Sequence, residues 1–109
     1  GYDHCFVTES YSPDMENAFS GELRQIAEVT DSKSSCGMKV YTDQIGVQLY
    51  TGNFLNEEIG RDGMRYNKHE ALCLETQCFP DTPNKSGFPS CILQPEEKYK
   101  AVTIYEFVF

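Results

Sequence analysis

Apolar and polar residues alternate along most of the chain, with the period of two that is typical of β-strands. The strands predicted from this pattern are His4–Thr8, Glu22–Val29, Met38–Thr42, Ile45–Tyr50, Ala71–Gln77 and Tyr99–Phe109. The same period places Gln25 and Ala27 on one face of the second strand. Turn-forming residues fill 31–37, between the second and third strands, and predict a hairpin there. Only Pro13 to Phe19 is compatible with a short helical turn, so the predicted fold class is all-β.

The C-terminal strand is apolar on both of its faces. Tyr105 and Phe107 point to one side, and Ile104 and Val108 point to the other. A strand of this kind is normally covered on both sides, so we expect it to lie inside an antiparallel β-sandwich. A chain of this size buries only about two thirds of its unfolded surface. We therefore expect residues 1–109 to be the C-terminal part of a larger domain, whose absent N-terminal part supplies the covering strands.

Composition and charge exclude several classes of partner. The 109 residues include 9 Lys and Arg and 17 Asp and Glu, for a net charge of −8. Nucleic acids and anionic membranes attract clustered Lys and Arg, so neither is expected as a partner. The chain also lacks the roughly 18 consecutive apolar residues of a membrane span.

The cysteines and histidines argue against a metal site. The 5 cysteines contain no C-x-x-C pair, and with 2 histidines no zinc-ligand spacing is satisfied. The simplest interpretation is a set of reduced thiols, some of them buried, in a reducing compartment. We therefore predict a cytoplasmic protein without a metal.

Glu75 stands in the middle of a predicted strand. Alternation places it on one face with Cys73 and Gln77, opposite Leu74 and Thr76, which are predicted to face the core. Two interpretations remain open from the pattern alone. Glu75 forms the floor of a concave polar site, or it is an ordinary solvent-facing residue of an antiparallel sheet.

Gln48 and Tyr50 share a face in the same way. An amide and a phenol both donate and accept hydrogen bonds, which suits a hydroxyl-rich ligand such as a carbohydrate. An ordinary half-exposed strand is the alternative. Asp3 and His4 are neighbours on a strand and point in opposite directions, so at most one of them faces a given site. We interpret His4 as structural and His69 as a loop histidine.

Four ordered motifs resemble the aldose 1-epimerase (galactose mutarotase) family. Residues 1–7, G-Y-D-H-C-F-V, resemble the family's G-Y-D-H-x-F-V. Residues 45–55, I-G-V-Q-L-Y-T-G-N-F-L, resemble P-G-x-Q-x-Y-T-G-N-F-L. Residues 69–84, H-E-A-L-C-L-E-T-Q-C-F-P-D-T-P-N, resemble H-x-x-x-C-L-E-T-Q-x-x-P-D-x-x-N. The closing F-P and L-Q-P-E-E-K-Y, within residues 88–99, resemble F-P-x-x-x-L-x-P-G-E-x-Y.

The resemblance implies an antiparallel supersandwich fold, of which this chain is a part. It implies interconversion of the α and β anomers of galactose, glucose and related aldohexoses, without a cofactor. By the matching positions, Glu75 is the general base, and Asp3 and Gln48 contact the sugar.

The sequence also departs from the family pattern. The family's general acid is a histidine from an earlier part of the chain, and His4 and His69 match other family positions. The leading hypothesis is therefore the C-terminal portion of an aldose 1-epimerase that is inactive without its N-terminal portion. The alternatives are a carbohydrate-binding protein without catalysis and a fragment without a function of its own.

Overall fold

The structure is a computed structural model that describes residues 1–109. It contains eight β-strands and two short 3-10 turns. The strands are β1 (Asp3–Val7), β2 (Arg24–Thr30), β3 (Gly37–Thr42), β4 (Gly46–Tyr50), β5 (Glu58–Ile59), β6 (Arg65–Tyr66), β7 (Cys73–Gln77) and β8 (Thr103–Val108). The 3-10 turns are Arg61–Gly63 and Thr82–Asn84.

Six of the strands form two three-stranded antiparallel sheets. The first has the order β1-β4-β7, and the second has the order β2-β3-β8. Strands β5 and β6 form a separate two-stranded hairpin. The two larger sheets meet near β7 and β8, where the hydroxyl oxygens of Thr76 and Thr103 lie 2.7 Å apart. This arrangement confirms the predicted all-β, antiparallel sandwich class.

The predicted hairpin is present, but the alternation within its first strand is not regular. Strand β2 pairs with β3, and the Asp31 carboxylate orders the connecting loop by accepting hydrogen bonds from Ser34 and from the Lys33 amide. The register shifts between Gln25 and Ala27, which marks a β-bulge. The expectation that these two residues share a face through regular alternation was therefore wrong, because a bulge inserts an extra residue on one strand.

Residues 13–19 form non-helical turns, so the short helical turn with which their sequence is compatible is absent. The reason is long-range backbone pairing. The Ala18 amide donates to the Ser90 carbonyl at 2.8 Å, and the Ser90 amide donates to the Glu16 carbonyl at 2.9 Å. These bonds use backbone groups that a helix would use internally.

The hydrophobic core is small. One cluster of buried residues, at one end of the first sheet, consists of Ala18, Ile45 and Phe79, and Val40 on β3 and Val47 on β4 are buried outside it. Phe79 follows β7 in a proline-containing loop, and its ring packs edge-on against Tyr11 at 5.4 Å and against Phe88 at 5.1 Å. The core therefore anchors the loop that follows β7.

The C-terminal strand β8 lies at the edge of the second sheet. One side contacts the first sheet through Thr103 and through the Tyr105 hydroxyl, which donates to the Leu74 carbonyl at 3.1 Å. Ile104 is 44% exposed and Phe107 is 62% exposed. Within residues 1–109 the strand is covered incompletely, because β3 is its only paired neighbour and neither sheet extends across both of its faces. The further cover expected from an N-terminal part of the domain stays a prediction.

Candidate functional site

Three adjacent strands of the first sheet each contribute one predicted site residue. Asp3 lies on β1, Gln48 on the central strand β4 and Glu75 on β7. Gln48 pairs directly with Glu75, and Asp3 lies one diagonal position away on the other side. Side chains at paired positions project from the same face with Cβ atoms about 5 Å apart. Strand pairing thus brings together residues that are far apart in sequence.

Gln48 links the two acidic residues. Its Nε2 donates a hydrogen bond of 2.7 Å to Oδ1 of Asp3. Its Oε1 is buried and has no hydrogen-bond partner. Buried polar atoms are nearly always paired, so Gln48 is an exception among the residues of this chain.

The three residues lie on the floor of an open cleft of about 660 Å³. Tyr50 and Gln77 complete the floor, and residues 78–83 form a wall beside it. Phe79 packs close to Gly46 at the base of this wall. A Cβ at Gly46 would lie 3.2 Å from the Phe79 ring and 3.0 Å from the Cys5 sulfur, so the wall's position requires a very small residue there.

The cleft carboxylates differ in their partners. Asp3 accepts a hydrogen bond from Gln48, and Asp81, on the wall, accepts one from Asn84 and lies 3.5 Å from Nζ of Lys85. The side chain of Glu75 is exposed to the cleft and has neither kind of partner within the chain. Of these three carboxylates, that of Glu75 is therefore the one left without a partner in the chain.

Cys78 also lines the cleft but is a poor acid–base candidate. Burial raises the pKa of its thiol, and the neighbouring Cys91 adds to the shift. An unperturbed thiol has a pKa of about 8.5, so a raised value keeps Cys78 neutral near pH 7.

Neither histidine opposes Glu75. His4 pairs with Leu49, which places it on the other face of the sheet, and its Nδ1 accepts a hydrogen bond from the Asp3 amide at 3.1 Å. His69 precedes β7 and its Nδ1 lies 2.8 Å from the Thr51 carbonyl oxygen, outside the cleft. The structure thus places His69 in a loop, as predicted, and His4 on the sheet face opposite Glu75.

The predicted site residues do not include Gln77 and Asp81, two of the polar residues that line the cleft. Gln77 shares the face of Glu75, and alternation alone was sufficient to place it there. Asp81 stands in a loop, where no periodic signal exists. It reaches the cleft through a left-handed backbone conformation, with φ of 59°.

The fold and the cleft describe an antiparallel β-protein with an acidic and amide-rich site on one sheet face. The family model for aldose 1-epimerase matches residues 1–106. Similar proteins include the galactose mutarotases of Mus musculus and Bos taurus, each 41% identical over 108 residues. The aldose 1-epimerase of Escherichia coli (strain K12) is 32% identical over 111 residues.

The chain therefore belongs to the aldose 1-epimerase family. These alignments cover 98% of the chain for the two mammalian proteins and 99% for the bacterial protein. They cover only 29% of each mammalian relative and 30% of the bacterial one. The structure contains no helix with the length and apolarity needed to cross a bilayer.

Proposed function

We propose that this chain carries the general base and part of the sugar-binding surface of a cytoplasmic aldose 1-epimerase. The enzyme interconverts the α and β anomers of galactose, glucose and similar aldohexoses. The observation that supports this most strongly is the pairing of Glu75 with Gln48, which in turn holds Asp3, on the floor of an open cleft. Membership of the aldose 1-epimerase family supports the same assignment.

The reaction needs only proton transfer. Glu75, as a carboxylate, takes the proton from the hydroxyl on C1 while a general acid protonates the ring oxygen O5. The C1–O5 bond breaks and C1 becomes an aldehyde. Rotation about C1–C2 exposes the other face of the aldehyde, and ring closure with the acid and base roles reversed gives the other anomer. Positioned acid–base groups contribute roughly 10²–10⁴-fold to such a step.

Asp3 and Gln48 hold the sugar while the ring opens. The Asp3 carboxylate accepts hydrogen bonds from sugar hydroxyls, and the bond from Gln48 fixes its orientation. Gln48 lies beside Asp3 on the cleft floor, where we expect its side chain to contact the sugar. Because a carboxylate held in this way accepts in fixed directions, it orients C1 relative to Glu75.

The general acid belongs to a part of the domain outside this chain, because both histidines here point away from Glu75. We assign residues 1–109 to the C-terminal part of the epimerase domain. The N-terminal part of the same domain is the proposed partner of this chain. The isolated chain is expected to show no significant mutarotation.

Replacement of the base tests the catalytic role. In the full-length protein to which we assign this chain, Glu75→Gln is expected to lower kcat by roughly 100-fold or more while KM changes little, since the amide keeps the shape but accepts no proton. Mutarotation of α-glucose and α-galactose is followed by polarimetry or with an anomer-specific dehydrogenase.

Glu28→Gln is a matched control, because Glu28 is an exposed strand glutamate of the other sheet. It is expected to retain the wild-type rate. A Glu75→Gln protein with wild-type kcat would contradict the proposal.

A sugar-binding protein without catalysis is the second candidate, because the Asp3–Gln48 pair on the cleft floor serves sugar binding whether or not a general acid completes the site. Measurements on the full-length protein distinguish the epimerase from the binder. A full-length protein that binds galactose by calorimetry but does not accelerate mutarotation is a binder.

A further inference from the structure

We propose that His69 is a positioning residue, which clamps together the ends of the three strands that carry Asp3, Gln48 and Glu75. The effect of this clamp on sugar turnover rests on the proposed function. The clamp lies where β1 begins, β4 ends and β7 begins. Its second component is the Thr51-Gly52-Asn53 turn that follows β4.

His69 binds this turn twice. Its backbone amide donates to the Gly52 carbonyl at 3.1 Å, and its ring Nδ1 lies 2.8 Å from the Thr51 carbonyl oxygen. A carbonyl oxygen only accepts hydrogen bonds, so Nδ1 must carry the proton and act as a donor. The backbone amide and the ring Nδ1 of His69 therefore both hold the Thr51-Gly52-Asn53 turn in place.

The Thr51-Gly52-Asn53 turn also binds Tyr2, the residue that precedes Asp3. The Tyr2 amide donates to Oγ1 of Thr51 at 2.7 Å, and the Thr51 amide donates to the Tyr2 carbonyl at 3.1 Å. The Asn53 side chain donates to the same carbonyl at 2.8 Å. Three hydrogen bonds thus fix the start of β1, directly beside the carboxylate proposed to contact the sugar.

Close packing explains why glycine occupies two positions of the clamp. A side chain at Gly1 would overlap with Thr51, Asn53 and the His69 ring. At Gly52, φ is +62°, and a Cβ would lie 3.0 Å from the Ala71 carbonyl oxygen. The segment that enters β7 therefore packs directly against the turn that leaves β4.

His69 itself adopts a left-handed backbone conformation, with φ of 67°. Such a conformation is uncommon outside glycine and persists where the surroundings enforce it. Here the enforcing contacts include the neighbouring Asn67–Glu70 turn, in which the Glu70 carboxylate accepts a hydrogen bond from the Asn67 amide at 2.7 Å. The chain thus maintains an uncommon conformation at a residue that hydrogen-bonds to the turn after β4.

Loss of the ring donor is expected to loosen the Thr51 turn and to shift Asp3 relative to Glu75. A misplacement of about 1 Å costs on the order of 100-fold in a positioned reaction. We therefore expect kcat/KM to fall by roughly 10- to 100-fold, mainly through KM, because Asp3 contacts the sugar and Glu75 stays on its strand.

Three substitutions in the full-length protein separate the ring donor from the backbone conformation. His69→Asn keeps a donor near the position of Nδ1 and tolerates the left-handed region. His69→Gly relieves the backbone but has no donor, and His69→Gln has a donor on a longer side chain. The readouts are KM and kcat, thermal unfolding, and amide hydrogen exchange at Tyr2 and Thr51.

We expect His69→Asn to remain within about threefold of wild type in KM and to keep the Tyr2 and Thr51 amides protected, as a bond of the same kind remains. His69→Gly and His69→Gln are expected to raise KM and to expose both amides. Equal KM values in the three variants would overturn the proposal, as would wild-type exchange in His69→Gly. Loss of thermal stability without a change in KM would also overturn it.

Failure of the proposed function is distinguishable from failure of the His69 clamp. If the wild-type protein does not turn over sugar but the exchange pattern follows the donor, the clamp stands and the epimerase assignment fails.

Discussion

Gln48 is the residue on which the geometry of the site depends. It occupies the central strand, pairs directly with Glu75 and donates to Asp3, so it contacts or adjoins both acidic residues. An amide is the side chain suited to this position, since it places a donor toward a carboxylate without adding a further negative charge. Gln48 thereby separates Asp3 from Glu75 on the cleft floor, and Asp81 adds a third carboxylate from the wall.

This explanation predicts the effect of converting the amide to an acid. In the full-length protein, Gln48→Glu removes the donor to Asp3 and adds a like charge beside Asp3 and Glu75. Affinity for galactose, measured by calorimetry, is expected to fall at least about tenfold. Gln25→Glu makes the same change at an exposed position of β2 and should leave affinity unchanged. Equal effects of the two substitutions would count against the assigned role of Gln48.

At the scale of elements, the Asn67–Glu70 turn before β7 depends on the ionised carboxylate of Glu70. Hydrogen bonds from the Asn67 backbone and side chain hold the pKa of the Glu70 carboxyl below its usual range. A group with a lowered pKa in the folded state stabilises that state when it is ionised. The Asn67–Glu70 turn is therefore supported at neutral pH and weakened in acid.

The sign of this effect gives a pH prediction. The contribution of Glu70 is fully present above the unfolded-state pKa of a glutamate, about 4.3. It is lost as the pH falls through the lower value of the folded state. NMR titration should show the Asn67 amide and Glu70 carboxyl resonances moving together below pH 4.3. Glu70→Gln should remove the titration at Asn67, and an unchanged Asn67 response in that variant would contradict the explanation.

At the scale of the whole molecule, the chain is more extended than a complete domain. Its radius of gyration is 16.5 Å, against about 13 Å for a compact chain of this length. Only 13 of 109 residues are buried. Apolar side chains of β8 remain on the surface, and Phe109 is 99% exposed. Such a surface is expected to be covered by further strands of the same domain.

The isolated 109-residue chain is therefore expected to self-associate. An exposed sheet edge and apolar strand faces favour pairing between copies. Sedimentation velocity should show oligomers or aggregates, together with binding of a hydrophobic dye. Co-expression with the preceding part of the epimerase domain should yield a discrete complex that does not bind the dye. A monodisperse, cooperatively unfolding monomer without dye binding would contradict the proposed domain organisation.

The parts of the fold that were predicted correctly depend on neighbouring residues. The 31–37 loop and the alternation around Glu75 are local signals, and the structure shows the hairpin and the shared face of Glu75 and Gln77. The burial of Phe79 and the bulge near Ala27 depend on residues distant in sequence. No local pattern contains that information, because burial and register are set by what packs across the sheet.

The amino-acid sequence by itself determined the all-β class, the strand that carries Glu75 and the motifs shared with aldose 1-epimerases. These follow from side-chain alternation and from residue order, which do not require long-range contacts. Only the tertiary structure decided that Gln48 bridges toward Asp3 and that His69 holds the Thr51 turn. Each of these relations joins residues that are distant in sequence, and the pairing of β1, β4 and β7 brings them within hydrogen-bond distance.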